Sequence, residues 1–229
     1  MINKRLNGRH IILASQSPRR QYLLKELGLD FEIRETNVKE VYPAGLHPSE
    51  IAVYLAELKA GSFDDSRMDE KAIIITADTI VSLGDEILGK PASYPEAVVM
   101  LQKLSGRKHD VVTAVCLKST KKKHVFHVLS SVYFKELSLE EIEYYIDNFQ
   151  PFDKAGGYGI QEWIGYIGIN KIEGSFCERS KRVGTIVNAG KFVLRALDGD
   201  PDELADHIIV FNDKDLVRIH GAITPDRIT

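Results

Sequence analysis

The sequence predicts an α/β protein, in which strands and helices alternate along the chain. A short apolar run, Ile11-Ile-Leu-Ala14, is typical of a buried strand, and a helix is predicted soon after it. A longer run, 72–83, is rich in β-branched residues and predicts a second buried strand. Capping-box patterns at 93–96 and 138–141 predict two further helices, so both kinds of element recur through the chain.

The turn between the first strand and the first helix carries the most distinctive polar residues. Pro18 fits the first turn of a helix and Ser17 is its predicted N-cap. Arg19 and Arg20 follow at once, although the helix dipole favours acidic residues there. Together with the hydroxyls of Ser15 and Ser17 and the N–H groups of the helix N-terminus, these arginines favour a bound anion, with phosphate the obvious candidate. The alternative is that Ser17 only caps the helix and the arginines lie in solvent.

The remaining chain to residue 175 follows the same alternation. A second helix is predicted to begin at His47, and Lys59 near its end, taken alone, is expected to be solvated and to complement the helix dipole. The other predicted elements are strands at 30–35, 72–83, 86–88, 109–118 and 125–135, helices at 93–104 and 138–149, a last core strand at 163–169 and a turn at 171–175.

Asp78 stands in the middle of the longest apolar run. A carboxylate is expensive to bury without a partner. Asp78 is therefore expected to pair with a cation, to ligate a metal ion or to cap the next turn, and we favour a functional carboxylate.

Two glycine-containing stretches need separate interpretation. Residues 84–90 match the start of a phosphate-binding P-loop, but Pro91 stands where that motif needs Ser or Thr, so a hairpin about Gly84 explains the pattern better. Residues 152–161 contain three glycines within four positions, which allows a close backbone approach, although a plain turn would also explain them.

Composition narrows the function classes. The chain has 229 residues, 44% of them hydrophobic, and a formal net charge of −3, which argues against wholesale nucleic-acid binding. Cys116 and Cys177 are too few and too far apart for a disulfide framework or a metal motif, and a reducing cytoplasm is the simplest setting. The sequence predicts neither a secretory signal nor a membrane span.

Several motifs occur in an order that resembles the Maf family. The resemblance covers about residues 10 to 176. The motifs are Ser15-Gln-Ser17-Pro-Arg19-Arg20, Leu55-Ala-Glu-Leu-Lys59-Ala60, Ala77-Asp78-Thr79, Gly89-Lys90-Pro91, Leu104-Ser105-Gly106 and Asp153-Lys154-Ala155-Gly156-Gly157-Tyr158-Gly159-Ile160-Gln161.

The resemblance implies a fold and an activity. The fold is an elongated mixed β-sheet flanked by helices, with a central cleft between two lobes, as in inosine triphosphatases. The activity is a nucleoside triphosphate pyrophosphatase that releases a monophosphate and pyrophosphate. The motifs are similar to those of the branch acting on dTTP and UTP, with modified pyrimidine nucleotides as a further substrate class, rather than the 7-methyl-GTP branch. The alternative is a non-hydrolysing nucleotide-binding regulatory protein that affects septum formation.

The resemblance also assigns roles to residues. Asp78 is the implied proton acceptor, while Arg19, Thr79 and Gln161 are the implied specificity positions. A divalent cation, Mg²⁺ or Mn²⁺, would bridge triphosphate oxygens to Asp78 and Glu40. The complete expected set is Asp78, Lys90 and Lys59 for catalysis, and Ser15, Ser17, Arg19, Arg20, Thr79, Lys154 and Gln161 for substrate binding.

The resemblance to the Maf family also implies a domain organisation and an assembly. Residues 1–176 are expected to form the Maf-like pyrophosphatase domain, and 177–229 a segment atypical of the family that packs on it. Within that segment, 190–197 is a candidate helix, and 207–211 with 215–219 is a candidate hairpin. Members of the family often form dimers, so a homodimer is the expected assembly.

Overall fold

The computed structural model of the protein describes Leu6 and residues 8–174, 207–211 and 216–220. Its strands are β1 (His10–Leu13), β2 (Phe31–Ile33), β3 (Ala72–Leu83), β4 (Glu86–Leu88), β5 (Lys108–Lys118), β6 (Lys123–Phe134), β7 (Ile169–Gly174), β8 (His207–Phe211) and β9 (Leu216–His220). Its α-helices are α1 (Pro18–Glu26), α2 (Pro48–Gly61), α3 (Tyr94–Leu104), α4 (Leu139–Phe149) and α5 (Trp163–Gly168). Short 3-10 turns occur at Asp65–Arg67, Pro151–Asp153 and Ala155–Gly157.

Strands β1 to β7 form one mixed sheet, which confirms the predicted α/β class. The order is β2-β1-β3-β5-β6-β7, with β4 also paired to β3. β1 runs parallel to β2 and β3, and α1 and α2 connect these strands, as parallel pairing requires. The other pairs in this sheet are antiparallel, and short hairpins join β3 to β4 and β5 to β6.

One edge of β3 has a gap in its middle. On this edge β1 pairs with the first part of β3, from Ala72 to Ile75, and β4 pairs with its end, from Val81 to Leu83. Among the described strands, none pairs with 76–80 on this edge, whereas β5 follows β3 along the opposite edge. The middle of β3 is therefore open to side chains on one edge only.

The hydrophobic core lies in two halves, and β3 contributes to both. In one half, α1 and β1 pack on the β3 face that includes Ile75 and Ala77, while α2 packs on the other face around Ile80. In the other half, α3 and α4 pack around Val81 and the buried Tyr158. The expected cleft between two lobes stays a prediction.

The predicted helix starts are confirmed by their caps. The Ser17 hydroxyl accepts a hydrogen bond from the Arg20 N–H, with Pro18 in the first turn of α1. His47 and Ser138 form capping boxes at α2 and α4, with Glu50 and Glu141 respectively. Local side-chain chemistry thus fixes where these helices begin.

The predicted last core strand at 163–169 is wrong, because this segment forms α5, and the predicted turn at 171–175 is replaced over 171–174 by part of β7. Ile164 and Gly168 are buried one helical turn apart, whereas Tyr166 is 76% exposed. The aromatic and β-branched content suggested a strand, but the burial follows a helical period. Gly165 permits the tight entry, since a β-carbon there would lie 1.7 Å from the Ile160 carbonyl oxygen.

Beyond residue 174, the described residues form a second, two-stranded sheet. β8 and β9 pair in antiparallel register, which confirms the pairing of the two predicted strands; the predicted turn between them lies outside the described residues. The candidate helix at 190–197 lies outside the described residues, and the domain division at 176 stays a prediction. Among the helices that are described, none is both long and apolar enough to cross a membrane.

We predict that Gly156→Ala destabilises the protein by about 2 kcal/mol, through backbone strain and overpacking together. Gly156 has a φ of 73°, and a β-carbon there would lie 2.9 Å from Val81 Cγ1. Gly45→Ala is the matched control, because Gly45 has a φ of 84° but a β-carbon added to it would meet nothing within 4 Å. Urea denaturation should show a larger loss of unfolding free energy for Gly156→Ala. Equal losses would contradict the role assigned to the Val81 contact.

Candidate active site

The candidate site is centred on Asp78, in the part of β3 that faces the gap. Asp78 and Thr79 are both 8% exposed and point to opposite faces of the strand. Asp78 lies on the α2 face, as does Thr76, whose hydroxyl donates to the Ala56 carbonyl at 2.6 Å. Thr79 lies on the α1 face. The gap in the edge lets groups from both faces of the sheet meet at one place.

Lys59 connects α2 to this carboxylate. Its Nζ lies 2.5 Å from Asp78 Oδ1 and 2.8 Å from Glu40 Oε1, and its side chain is only 11% exposed. Small residues on one side of α2 allow the close approach: Ala52, Ala56 and Ala60 are fully buried against the sheet. The prediction of a solvated Lys59 is therefore wrong. Of the three alternatives left open for Asp78, the structure shows the pairing with a cation.

The two carboxylates have opposite pKa shifts. Burial raises the pKa of Asp78, although the charges of Lys59 and Arg20 act against this. Partial burial also acts to raise the pKa of Glu40, but the Lys59 hydrogen bond and the charges of Lys59, Lys90 and Arg20 lower it below its usual value. Asp78 and Glu40 therefore share the Lys59 ammonium group, and further positive charges act on both carboxylates.

Arg20 enters the gap from α1. It is 7% exposed, its Nη1 donates to the Ala77 carbonyl at 2.9 Å, and its Nη2 donates to Thr79 Oγ1 at 3.3 Å. The guanidinium thus binds a β3 carbonyl in the stretch that β1 and β4 leave unpaired. The alternative that both arginines lie in solvent is wrong for Arg20, which is held inside the structure.

The other residues predicted on α1 lie at its N-terminal turn. The Ser15 hydroxyl accepts a hydrogen bond from the Ser17 N–H at 3.2 Å, so both serines order the turn. Arg19 is half-buried, and its positive charge acts on the hydroxyl of Tyr145 in α4. Arg19 and Arg20 therefore differ in burial, and the contact with β3 belongs to Arg20.

Lys90 and the glycine-rich segment approach from the other half of the core. Lys90 is exposed after β4, and its charge acts on Glu40. The Gly156 N–H donates to the Gly89 carbonyl at 2.9 Å, so the residue before Lys90 is tied directly to the glycine-rich segment. This contact shows that the segment is more than a plain turn.

Lys154 and Gln161 both lie in the glycine-rich segment, Gln161 at its end. Lys154 Nζ is 2.7 Å from Asp153 Oδ1 and 3.2 Å from Glu162 Oε1. Gln161 is exposed. Glu162 and Tyr145, which contact each other, could not be identified from the sequence. Tyr145 looks like an ordinary apolar position of an amphipathic helix, and Glu162 belongs to no motif.

The two residues expected to bind a metal ion contact the same lysine side chain. Glu40 and Asp78 both contact the Lys59 ammonium, and each carboxylate has a second oxygen. Magnesium is commonly held by one or two carboxylates together with substrate phosphates, and this pair fits that mode. In the ranges given above for the described chain, no cluster of three or more acidic, His or Cys side chains could hold a metal by itself.

The chain belongs to the Maf family. A family model described as "Maf-like protein" matches residues 10–178. The relationship extends to individual proteins named "dTTP/UTP pyrophosphatase". One from Flavobacterium psychrophilum is 49% identical over 77% of this chain and 90% of that protein. Another, from Bacteroides thetaiotaomicron, is 51% identical over 72% of this chain and 86% of its own length.

A solved structure, that of the Staphylococcus aureus Ham1 protein, is similar over 55% of this chain and 72% of its own. The TM-score is 0.38 and the identity 14%. This similarity is too small to define the fold, which follows from the strand order described above.

We predict that Lys59→Met destabilises the protein by about 3 kcal/mol, because it leaves the buried Asp78 carboxylate without its counter-charge. The double variant Lys59→Met/Asp78→Asn should lose less, since it removes that charge as well. Lys103→Met is the control: Lys103 pairs with Glu86 at the surface, and its loss should cost at most about 1 kcal/mol. The measurement is urea denaturation. Equal losses for Lys59→Met and Lys103→Met would contradict a buried ion pair at Asp78.

Proposed function

We propose that this protein hydrolyses dTTP and UTP to the monophosphate and pyrophosphate. The observation that carries the proposal is the buried Asp78 carboxylate beside the gap in β3, which is bonded to Lys59 and on which the charge of Arg20 also acts. The names of the relatives support the substrate and the reaction. Modified pyrimidine nucleotides are a further proposed substrate class.

The proposed reaction is attack of water on the α-phosphorus. Asp78 orients the water and accepts its proton as the new oxygen–phosphorus bond forms. The bond from the α-phosphorus to the bridging oxygen breaks, and pyrophosphate leaves with that oxygen. Burial favours this role, because it raises the pKa of Asp78 and so makes the carboxylate a better proton acceptor.

In this proposal the basic residues have two roles, phosphate binding and the positioning of other side chains. Lys90 is exposed and Arg19 half-buried, so both can reach phosphate oxygens. Lys59 and Arg20 are committed to protein partners, and they hold Asp78 and Thr79 in place. Ser15 and Ser17 order the helix N-terminus, Lys154 and Gln161 contact the nucleotide, and Thr79 contributes to specificity.

A divalent cation, Mg²⁺ or Mn²⁺, would bind through Glu40 and Asp78 and supply positive charge to the triphosphate oxygens. The chain's own contribution is to hold the two carboxylates together through Lys59. The cytoplasm remains the proposed location, and a homodimer the proposed assembly. The non-hydrolysing regulatory alternative is not favoured, because the relatives carry the name of an enzyme.

The first test incubates the purified full chain with dTTP, UTP, CTP, ATP and GTP, each with Mg²⁺ or Mn²⁺. We expect pyrophosphate and a monophosphate from dTTP and UTP, and little product after EDTA treatment. Pyrophosphate and orthophosphate are assayed separately. Orthophosphate released directly, or no product from any triphosphate, would contradict the proposed reaction.

A second test replaces the proposed proton acceptor. Asp78→Asn should lower turnover of UTP at least about a hundredfold, the usual contribution of a general base, while binding of the α,β-methylene analogue of UTP is retained. Asp85→Asn, in the exposed turn between β3 and β4, is the control and should keep full turnover. Unchanged turnover in Asp78→Asn would exclude the assigned role.

A further inference from the structure

A β-turn at the end of the glycine-rich segment carries Gln161. The Glu162 N–H donates to the Gly159 carbonyl at 3.0 Å, which closes the turn with Ile160 and Gln161 at its two central positions. The turn is tight, since a β-carbon on Gly159 would lie 2.7 Å from Glu162 Cδ. Gly165 on the far side accommodates the Ile160 carbonyl. The position of Gln161 is therefore set by the residues that hold the ends of this turn.

One hydroxyl group holds both ends. The Tyr145 hydroxyl accepts a hydrogen bond from the Gly159 N–H at 2.9 Å and donates one to Glu162 Oε2. Tyr145 is fully buried on α4, so its ring is fixed by the surrounding core. Burial and the Glu162 carboxylate raise the pKa of Tyr145, which keeps the hydroxyl protonated as a donor.

Two further contacts fix the same segment. Lys154 pairs with the second oxygen of Glu162, and the Tyr158 hydroxyl lies 2.5 Å from His109 Nε2 in β5. Gln161 is one of the implied specificity positions, and Tyr145 holds the turn that carries it.

We propose that Tyr145, acting through Glu162, is a positioning residue that sets the preference for pyrimidine nucleotides. It holds the Gly159–Glu162 turn so that Gln161 faces the base. This deepens the proposed function and rests on it, because it assigns base recognition to Gln161. Tyr145 itself does not touch the nucleotide, so its loss changes selectivity rather than the chemistry at the phosphate.

The test measures binding of the α,β-methylene analogues of UTP and ATP, which cannot be cleaved at that bond, to the full chain. In Tyr145→Phe, the preference for the UTP analogue should fall about tenfold, as expected when two hydrogen bonds that fix a binding group are lost. Tyr144→Phe is the matched control, because Tyr144 is the neighbouring tyrosine on α4, is 49% exposed and packs on Trp163. It should keep the wild-type preference.

Variants of Glu162 give a second line of evidence in case Tyr145→Phe is unstable. Glu162→Ala should lose the preference, whereas Glu162→Gln keeps an oxygen that can accept from Tyr145 and should retain most of it. Thermal unfolding of every variant separates a general loss of stability from a change in selectivity.

Two results would overturn the proposal: equal binding of both analogues by the wild-type chain, or an unchanged preference in Tyr145→Phe and Glu162→Ala. Turnover of UTP by the wild type is measured in parallel. A chain that binds the UTP analogue selectively through Tyr145 but hydrolyses nothing would contradict the proposed enzyme and still support the positioning role.

Discussion

The ion pair between Lys59 and Asp78 is the interaction on which the candidate site depends. Two charged groups taken out of water are stable only when they are close and well bonded, and removal of either one leaves a costly charge behind. The pair therefore fixes the distance between α2 and β3. The alanines of α2 make that distance attainable, and Glu40 joins from the connector after β2 because the same ammonium attracts it.

The gap along one edge of β3 allows other groups to approach this ion pair. A strand paired along both edges would have left Asp78 and Thr79 on separate faces of a closed sheet. Here β1 and β4 stop short of each other, and Arg20 binds the Ala77 carbonyl in the interval. Arg20 from one face and Asp78 from the other therefore lie at the same interval of the strand.

Much of this arrangement could be predicted from the sequence, because local signals are strong where they occur. Ser17, His47 and Ser138 mark helix starts through side-chain bonds that span only three residues. Asp78 was recognisable because a carboxylate in an apolar strand demands a partner. The ordered motifs identified the family, and the chain's match to the family model over residues 10–178 bears this out.

The features that could not be predicted from the sequence depend on contacts between residues that are far apart in the chain. Nothing local in Lys59 distinguishes a buried ion-pair partner from a solvated helix end. The segment at 163–169 has the composition of a strand, and only its packing against the preceding turn makes it a helix. Tyr145 and Glu162 have no motif of their own, since their importance comes from a hydroxyl that meets a backbone N–H and a carboxylate in another segment.

The bond from Arg20 to the Ala77 carbonyl also bears on how the site forms. It joins residues 57 positions apart, whereas Lys59 and Asp78 are separated by 19. Contacts between distant residues carry a loop-closure cost and slow the folding of a chain. No fragment that ends before β3 contains the site, and one that contains only α2 and β3 lacks the arginine. The candidate site is thus a product of the chain's long-range order, so its chemistry reports the completed fold rather than any local piece of it.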